Sequence, residues 1–276
     1  MKKLLFFFLF SGAFAASAQY YFKDLVAVQQ AKAKQQLYQS QQVKAVSFLS
    51  FDGDGKPIEG FSSQQQVSRD FREIVSSTAT SLTGATYSKS VYDAGGQLVS
   101  STDTSDGATT TTLYTYADGR LIRVESVSAS AGGFTLTETH SWTYTSAGKP
   151  QEALRIRNGK DSTRIRFILD EKGLVAEERA TQKGKELPAY YYYYDDKGRL
   201  TDIVRYNTAA RRLLPDYIFE YDEKGRIGSM MVVAEGSGDY QKWYYSYDED
   251  GLKVLDACYS KEKTLIARIE AQYFYY

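Results

Sequence analysis

Few side chains in this sequence have the chemistry that catalysis usually requires. The chain of 276 residues contains one histidine and one cysteine, so a Ser-His-Asp or Cys-His arrangement would have to use His140. His140 lies two positions before Trp142 in an aromatic stretch, and we interpret it as a structural histidine with satisfied hydrogen bonds. Cys258 is interpreted as a small buried strand residue and not as a reactive thiol. We therefore predict that the protein is not an enzyme and has no catalytic residue.

Metal-binding patterns are also weak in this sequence. Transition-metal sites usually need several His or Cys ligands, and only one of each is present. Residues 52–56, DGDGK, have the spacing that begins a calcium loop. Lys56 and Ser63, however, occupy positions of that loop that need oxygen ligands, the second of which is normally a bidentate glutamate. We predict a turn at this segment, no metal site, and no cofactor, since no glycine-rich phosphate loop follows a strand.

A repeated aromatic and glycine motif runs through most of the chain. Each copy has aromatic residues at alternate positions, then Asp or Ser, two more residues and a glycine. Its clearest copies read YYYYDDKGRL, YIFEYDEKGRI, WYYSYDEDGL and IRFILDEKGL, and its glycines are Gly55, Gly96, Gly119, Gly148, Gly173, Gly198, Gly225 and Gly251. From Gly96 onward, successive glycines are 23, 29, 25, 25, 27 and 26 residues apart. This regular spacing indicates a structural repeat.

The repeat has the chemistry of a β-hairpin. Asp195 can accept a backbone N–H, the next two residues fit the corners of a type I turn, and Gly198 can adopt the left-handed conformation. Such a turn closes a three-residue hairpin loop, and the flanking aromatic residues are typical of half-buried strands. The repeat therefore predicts an all-β fold, a long antiparallel meander of about 14–16 strands. No alternation of strands and helices is present, which excludes a parallel α/β sheet.

The signature at residues 194–200 and 221–227, Tyr-Asp-x-x-Gly followed by Arg and Leu or Ile, resembles the YD repeat of Rhs and teneurin-like proteins. The resemblance covers residues 43–259. It implies long antiparallel sheets that curl into a shell and that have a structural rather than a catalytic role. Because the array is short, we expect a strongly twisted or curled sheet and not the closed cage of that family.

The first 18 residues have the features of a signal peptide. Lys2 and Lys3 precede an apolar run at residues 4–10, and residues 16–18, Ala-Ser-Ala, have the small side chains that a signal peptidase reads. The apolar run is shorter than the roughly 20 residues that span a bilayer. We therefore predict removal of residues 1–18 with Gln19 as the mature N-terminus, and export to the periplasm, the outer-membrane surface or the extracellular space.

Two further regions follow the signal peptide. Residues 19–42 are rich in Gln, Ala and Lys, and we predict an N-terminal helix whose apolar face comprises Phe22, Val26, Ala33 and Leu37. A flexible polar arm is the alternative. Residues 43–276 form the predicted YD-like β-repeat domain.

Strand residues alternate between two faces, which divides the aromatic residues of the repeat into two sets. One set forms an apolar stripe that we interpret as the core: Tyr190, Tyr192, Tyr194, Tyr217, Phe219, Tyr221, Trp243, Tyr245 and Tyr247. The opposite face is mostly polar, so Tyr191, Tyr193 and Tyr244 are unusual there. These three are predicted ligand-binding residues that stack on sugar rings or contact a protein partner. Packing beneath the N-terminal helix is the alternative.

The balance of charges excludes one class of partner. The chain has 34 basic and 34 acidic residues, and charges of both signs alternate along it. Binding to nucleic acid needs a concentrated basic face, so we predict no nucleic-acid partner. The leading hypothesis is an exported, non-catalytic repeat protein that acts as a binding or scaffold module at the cell envelope or outside, with an unknown protein or glycan partner. Edge strands of an open sheet also favour self-association.

Two alternatives remain open from the sequence. An outer-membrane β-barrel agrees with an even strand number and with the terminal AQYFYY. Against it, Arg164, Arg166, Asp202, Arg205 and Glu220 interrupt both strand faces. A carbohydrate-active enzyme with paired carboxylates is the second alternative.

Overall fold

The computed structural model describes residues 19–81, 84–105, 107–207, 210–234 and 238–276. A π-helical segment, Tyr21–Val26, continues into helix α1, Ala27–Ser40. Nineteen strands follow: β1 Val43–Asp52, β2 Ser62–Val67, β3 Glu73–Thr80, β4 Gly84–Tyr92, β5 Leu98–Ser105, β6 Ala108–Ala117, β7 Arg120–Ser130, β8 Thr135–Tyr144, β9 Pro150–Arg157, β10 Asp161–Leu169, β11 Val175–Gln182, β12 Lys185–Glu186, β13 Tyr190–Tyr194, β14 Leu200–Asn207, β15 Arg212–Tyr221, β16 Ile227–Val233, β17 Tyr240–Tyr247, β18 Lys253–Ser260 and β19 Leu265–Tyr275.

The sheet closes on itself. Consecutive strands pair antiparallel, and the last strand, β19, pairs with β1 from Val43 opposite Tyr275 to Asp52 opposite Ala267. The two-residue β12 pairs only with β11, which also pairs with β13, so the other 18 strands form a closed ring. The prediction of antiparallel all-β structure with a short N-terminal helix is confirmed.

The expected strongly twisted or curled sheet is wrong, because the ring is a closed barrel. Strand pairing inside each hairpin is local, whereas closure depends on the pairing of β1 with β19, which lie more than 200 residues apart in the chain. Each ring strand has a neighbour on both sides, so the ring lacks the open edges expected for a curled sheet. Self-association stays a prediction.

The predicted hairpin turns are present and lie together at one end of the barrel, here called the repeat rim. Asp195 carboxylate oxygen Oδ1 accepts the backbone N–H of Lys197 and of Arg199, at 3.0 and 2.9 Å, and Gly198 has φ +74°. The turns of the repeat rim are at residues 93–96, 118–119, 145–148, 170–173, 195–198, 222–225 and 248–251. The Gly55 turn follows β1 and lies at the opposite end, the variable rim, because its strand runs in the other direction.

Tyrosine hydroxyls connect neighbouring repeats near the repeat rim. Tyr221 Oη donates to the carbonyl of Leu200 at 2.7 Å, and Tyr247 Oη donates to that of Ile227 at 2.8 Å. Each acceptor lies two residues after the glycine of the preceding turn. The guanidinium of Arg199 lies over the Tyr221 ring at 4.4 Å. The Tyr and Arg of the repeat signature therefore join one hairpin to the next.

Helix α1 and the π-helical segment lie inside the barrel. Asp24 accepts a hydrogen bond from Trp142 on β8, Phe22 lies against Phe219 on β15, and Tyr38 donates to Gln65 on β2. Strands so widely separated around a closed ring can contact one helix only from within. The inward face is therefore the core, as predicted for the aromatic stripe: Trp142, Ile165, Phe167, Tyr190, Tyr192 and Phe219 are buried.

The predicted helix is confirmed, but its buried positions differ from the expected face. Phe22 is buried, whereas Val26 is half-buried and Ala33 is exposed. The other buried helical residues are Asp24, Leu25, Val28, Gln35 and Tyr38. Because the barrel surrounds this helix on several sides, polar residues are buried with apolar ones and no single apolar stripe is needed.

The outward face of the barrel has many charged side chains, with exposed apolar residues such as Leu113, Val127 and Ile168 between them. On β10, Arg164 and Arg166 are exposed while Ile165 and Phe167 between and after them are buried. Outward ion pairs recur around the ring and include Arg123–Glu125, Arg166–Glu152, Arg179–Glu177 and Arg268–Glu270. Within the residues that the structure describes, no helix has the length and hydropathy needed to cross a membrane.

Candidate functional site

A chamber of about 1370 Å³ lies inside the barrel, between the helix and the inner faces of β15 to β19. The N-terminal end of the helical segment packs toward β8, β10 and β15, which leaves this part of the lumen open beside α1. The chamber wall on the strand side is mainly aromatic and aliphatic, and it includes Tyr217, Phe219, Met230, Trp243, Tyr245 and Tyr273. Such a surface favours an apolar ligand.

The chamber runs along the height of the barrel. Gly225 and Gly251 line it at the repeat rim, and Asp239 and Lys261 line it at the variable rim. An elongated ligand therefore fits its shape better than a compact one.

Lys34 lies on the chamber wall and forms no ion pair with the residues that the structure describes. Lys34 Nζ donates to Gln65 Oε1 at 3.3 Å and lies 5.2 Å from the centre of the Tyr38 ring. Among the described residues, no carboxylate lies within ion-pair distance of Lys34, whereas the nearby Lys253 pairs with Asp256 at 2.7 Å. Desolvation and the charge of Lys253 lower the pKa of Lys34 to about 8. A bound anion would relieve this unfavourable burial of charge.

A second polar cluster attaches the N-terminal segment to the barrel wall. His140 Nδ1 lies 2.7 Å from Asp24 Oδ2, and His140 Nε2 lies 2.9 Å from Glu138 Oε1. Arg155 donates to the other oxygen of Glu138 at 2.6 Å. Both ring nitrogens have partners, which agrees with the prediction of a structural histidine.

The charges of this cluster stabilise one another. Desolvation alone would lower the pKa of His140, but the carboxylates of Asp24 and Glu138 outweigh it and raise the pKa to about 9. Desolvation likewise opposes ionisation of Glu138, yet hydrogen bonds from His140 and Arg155 lower its pKa to about 2. The cluster therefore joins helix and barrel through charged groups at neutral pH.

Cys258 is buried on β18, and burial raises the pKa of its thiol to about 12. This environment agrees with the predicted packing role. Within its described residues, the structure brings no three His, Cys, Asp or Glu side chains together at a metal-binding distance.

The structure places the three sequence-predicted binding residues on the outer face. Tyr193 and Tyr244 are 48% and 45% exposed, and Tyr191 is half-buried. Tyr191 and Tyr193 lie side by side on β13, but β14, β15 and β16 separate them from Tyr244 on β17, a distance of about 19 Å at the usual strand spacing. Packing beneath the N-terminal helix is wrong, because that helix is inside the barrel. A binding role for these tyrosines stays a prediction.

Sequence reasoning did not find the chamber. The alternation of strand residues predicts that Trp243 and Tyr245 belong to the core stripe. It does not predict a function for Lys34. The available signal was a lysine on a helix segment whose neighbours, Leu37 and Tyr38, are apolar or aromatic, but this pattern alone does not distinguish a chamber from solvent.

Comparison with known proteins gives no family assignment. No protein-family model matches the chain, and no curated protein matches it. Among solved structures, it is similar to a porin-like protein from Bacteroides uniformis, at 9% identity and a TM-score of 0.42, over 85% of this chain and 97% of that one. A porin-like protein from Bacteroides vulgatus gives 12% identity and a TM-score of 0.31 over 84% and 98%.

A chain of the Photorhabdus luminescens Tc holotoxin pore gives 12% identity and a TM-score of 0.31, over 84% of this chain and 17% of that one. TM-scores this low carry no argument about function.

Proposed function

We propose that this chain is an exported, non-catalytic β-barrel protein of the cell envelope that binds an elongated anionic amphiphile inside its barrel. The observation that carries this proposal is the apolar chamber with a lysine of helix α1, Lys34, that forms no ion pair among the described residues. The apolar wall favours the body of such a ligand, and the lysine favours its charged head.

The energetics agree with a ligand of this class. Burial of an apolar chain contributes about 25 cal/mol per Å² of surface removed from water. A hydrogen bond to a charged group contributes about 1.5–3 kcal/mol. An ammonium group that is already desolvated recovers more of this interaction on binding an anion than a solvated one does.

The outer face supports a barrel that is surrounded by water. Arg164, Arg166 and Arg179 point outward on adjacent or nearby strands, and a charged side chain costs about 2–4 kcal/mol at the lipid-facing midplane of a membrane barrel. The envelope location rests on the predicted signal peptide and remains part of this proposal.

Ligand binding can be followed through Trp243, which lines the chamber. We expect a long-chain carboxylate to change its fluorescence in a saturable manner. The Lys34→Met variant should bind the carboxylate about tenfold more weakly, since the charged hydrogen bond is lost. The uncharged alcohol of equal chain length should bind the unmodified protein and the Lys34→Met variant with equal affinity.

Trp243→Phe provides the matched control, because the second tryptophan, Trp142, is buried at Asp24 outside the chamber. The fluorescence change should disappear in this variant while calorimetry still detects binding. Equal affinity of carboxylate and alcohol for the unmodified chain would contradict the assigned anionic ligand, and absence of binding for both would contradict the chamber function itself.

An outer-membrane barrel is the second candidate function. It is favoured by the closed ring of 18 strands, an even number that is common in membrane barrels, and by a chamber that has lining residues at both rims. In this candidate the chamber would be a passage, and the outward arginines would need a partner or a lipid headgroup region to accommodate their charge.

The relationship to YD-repeat proteins also stays a proposal. The tyrosine hydroxyl bonds from Tyr194, Tyr221 and Tyr247 to the preceding hairpin support it, since they give the recurring tyrosine of the signature a physical role in joining repeats.

A further inference from the structure

Glu178 is a buried acid whose direct hydrogen-bond donors are all neutral groups. Its side chain points into the barrel from β11, and the residue is 1% exposed. Four donors surround its carboxylate: the backbone N–H groups of Gln19, Tyr20 and Tyr21, at 2.9, 3.1 and 3.0 Å, and the hydroxyl of Tyr192 at 2.9 Å. The charge of Lys23 acts on Glu178, but the four groups that donate to the carboxylate are all neutral. A buried carboxylate is normally paired with a cation that contacts it directly.

Gln19, the first described residue, has an unusual environment. It is 4% exposed, and its side-chain amide donates to Asp216 Oδ2 at 2.9 Å. Its backbone φ is 115°, in a region that a side-chain-bearing residue rarely adopts within a chain. The angle φ is defined by the preceding carbonyl carbon, so this strain exists only while residue 18 is attached.

From these observations we infer that the barrel contains a binding site for its own processed N-terminus. Cleavage of the bond between Ala18 and Gln19 converts the amide nitrogen of Gln19, 2.9 Å from Glu178 Oε1, into an α-ammonium group. This ammonium supplies Glu178 with a cation in direct contact with its carboxylate. This inference rests on the predicted removal of residues 1–18, which is part of the proposed function, and it does not depend on the ligand proposed for the chamber.

Three consequences of cleavage act in the same direction. The buried carboxylate gains a counter-charge in a low-dielectric environment, where an ion pair is strong when its remaining hydrogen bonds are satisfied. Burial raises the pKa of Glu178 in the uncleaved chain, and the new positive charge opposes that effect. The backbone strain at Gln19 disappears with the peptide bond. Removal of the leader therefore stabilises the seating of the helix inside the barrel.

The test compares two mature chains that differ by one residue, one beginning at Gln19 and one beginning at Ala18. In the longer chain the nitrogen of Gln19 remains an amide, and the ammonium lies one residue away. We expect its midpoint of thermal unfolding to be lower by roughly 5 °C. Introducing Glu178→Gln into both chains should abolish most of this difference.

A chemical readout covers the case in which Glu178→Gln does not fold. In the native chain that begins at Gln19, the α-amine should react with an acylating reagent much more slowly than in the chain that begins at Ala18. Mass spectrometry of the exported protein should find an N-terminal Gln19 with a free amine. Equal melting temperatures and equal reactivity of the two chains would overturn the inference, as would a different processed N-terminus or a pyroglutamate in place of the amine.

Discussion

At the scale of single residues, function and stability depend on charged groups inside an apolar barrel. His140, Asp24, Glu138 and Arg155 form one connected cluster. Lys34 forms no ion pair among the described residues, and the direct donors to Glu178 are neutral groups. The satisfied cluster attaches the helix to the wall, whereas Lys34 and Glu178 mark the places where an anion and a cation are expected to bind.

The cluster makes stability depend on pH. The pKa of His140 is about 9 in the folded protein and about 6.5 in an unfolded chain. Because the pKa is raised in the folded state, the contribution of charged His140 to the free energy of unfolding is complete below about pH 6.5. It is lost as the pH rises through about 9. We expect the free energy of unfolding to fall by about 2 kcal/mol across this window, and chemical denaturation at both pH values measures it.

The control for this prediction is His140→Gln, which keeps a polar side chain but does not titrate. Its loss of stability between the two pH values should be much smaller than that of the unmodified protein. Lys34 has a lowered pKa of about 8, so the loss of its charge above that pH raises the free energy of unfolding. This effect is the same in both proteins, because both contain Lys34. Parallel pH profiles would show that His140 is not charged in the native state.

At the scale of the elements, the repeat is a hairpin plus a connection to the previous hairpin. The turn part was predictable, because Asp and Gly at fixed spacing specify a type I turn with a left-handed residue. The connecting part was not, because the acceptor of the Tyr221 hydroxyl, the Leu200 carbonyl, is 21 residues away. Sequence periodicity gives the spacing of such residues but not which groups meet.

Removal of one connecting hydroxyl should have a measurable cost. Tyr221→Phe keeps the ring that lies under the Arg199 guanidinium and removes only the hydrogen bond to Leu200. We expect a loss of about 1 kcal/mol in the free energy of unfolding, or about 2–4 °C in melting temperature for a chain of this size. Tyr193→Phe, on the exposed outer face, is the matched control and should leave the melting temperature unchanged. Equal changes in melting temperature in the two variants would argue against a connecting role for the Tyr221 hydroxyl.

At the scale of the whole molecule, the inner wall of the barrel is largely aromatic and aliphatic, with a few buried charged groups such as Glu178. The outer face has charged side chains, among them the arginines of β10 and β11, together with exposed apolar residues such as Leu113 and Ile168. Because the lumen of a water-filled membrane barrel is polar and its outer face apolar, the apolar inner wall and the outward arginines are the basis for proposing that the barrel is surrounded by water.

The two candidate functions differ in where the protein partitions. We expect the exported mature chain to stay in the supernatant after high-speed centrifugation without detergent, and to produce no ion conductance in planar bilayers, because charged side chains such as Arg164 and Arg166 interrupt its outer face. A porin of known behaviour provides the positive control. Recovery only in detergent together with stepwise conductance would establish the outer-membrane candidate instead.

The sequence by itself determined the antiparallel hairpins, their turns, the N-terminal helix and the alternation that buries Tyr190 and Tyr192 but not Tyr193. These features depend on interactions between residues that are close in the chain. Only the tertiary structure decided that β1 meets β19, that the helix lies within the barrel, and that Lys34 and Glu178 face its interior. Each of these depends on contacts between distant residues, and a local pattern of apolar and polar positions is the same whether a sheet stays open or closes around another element.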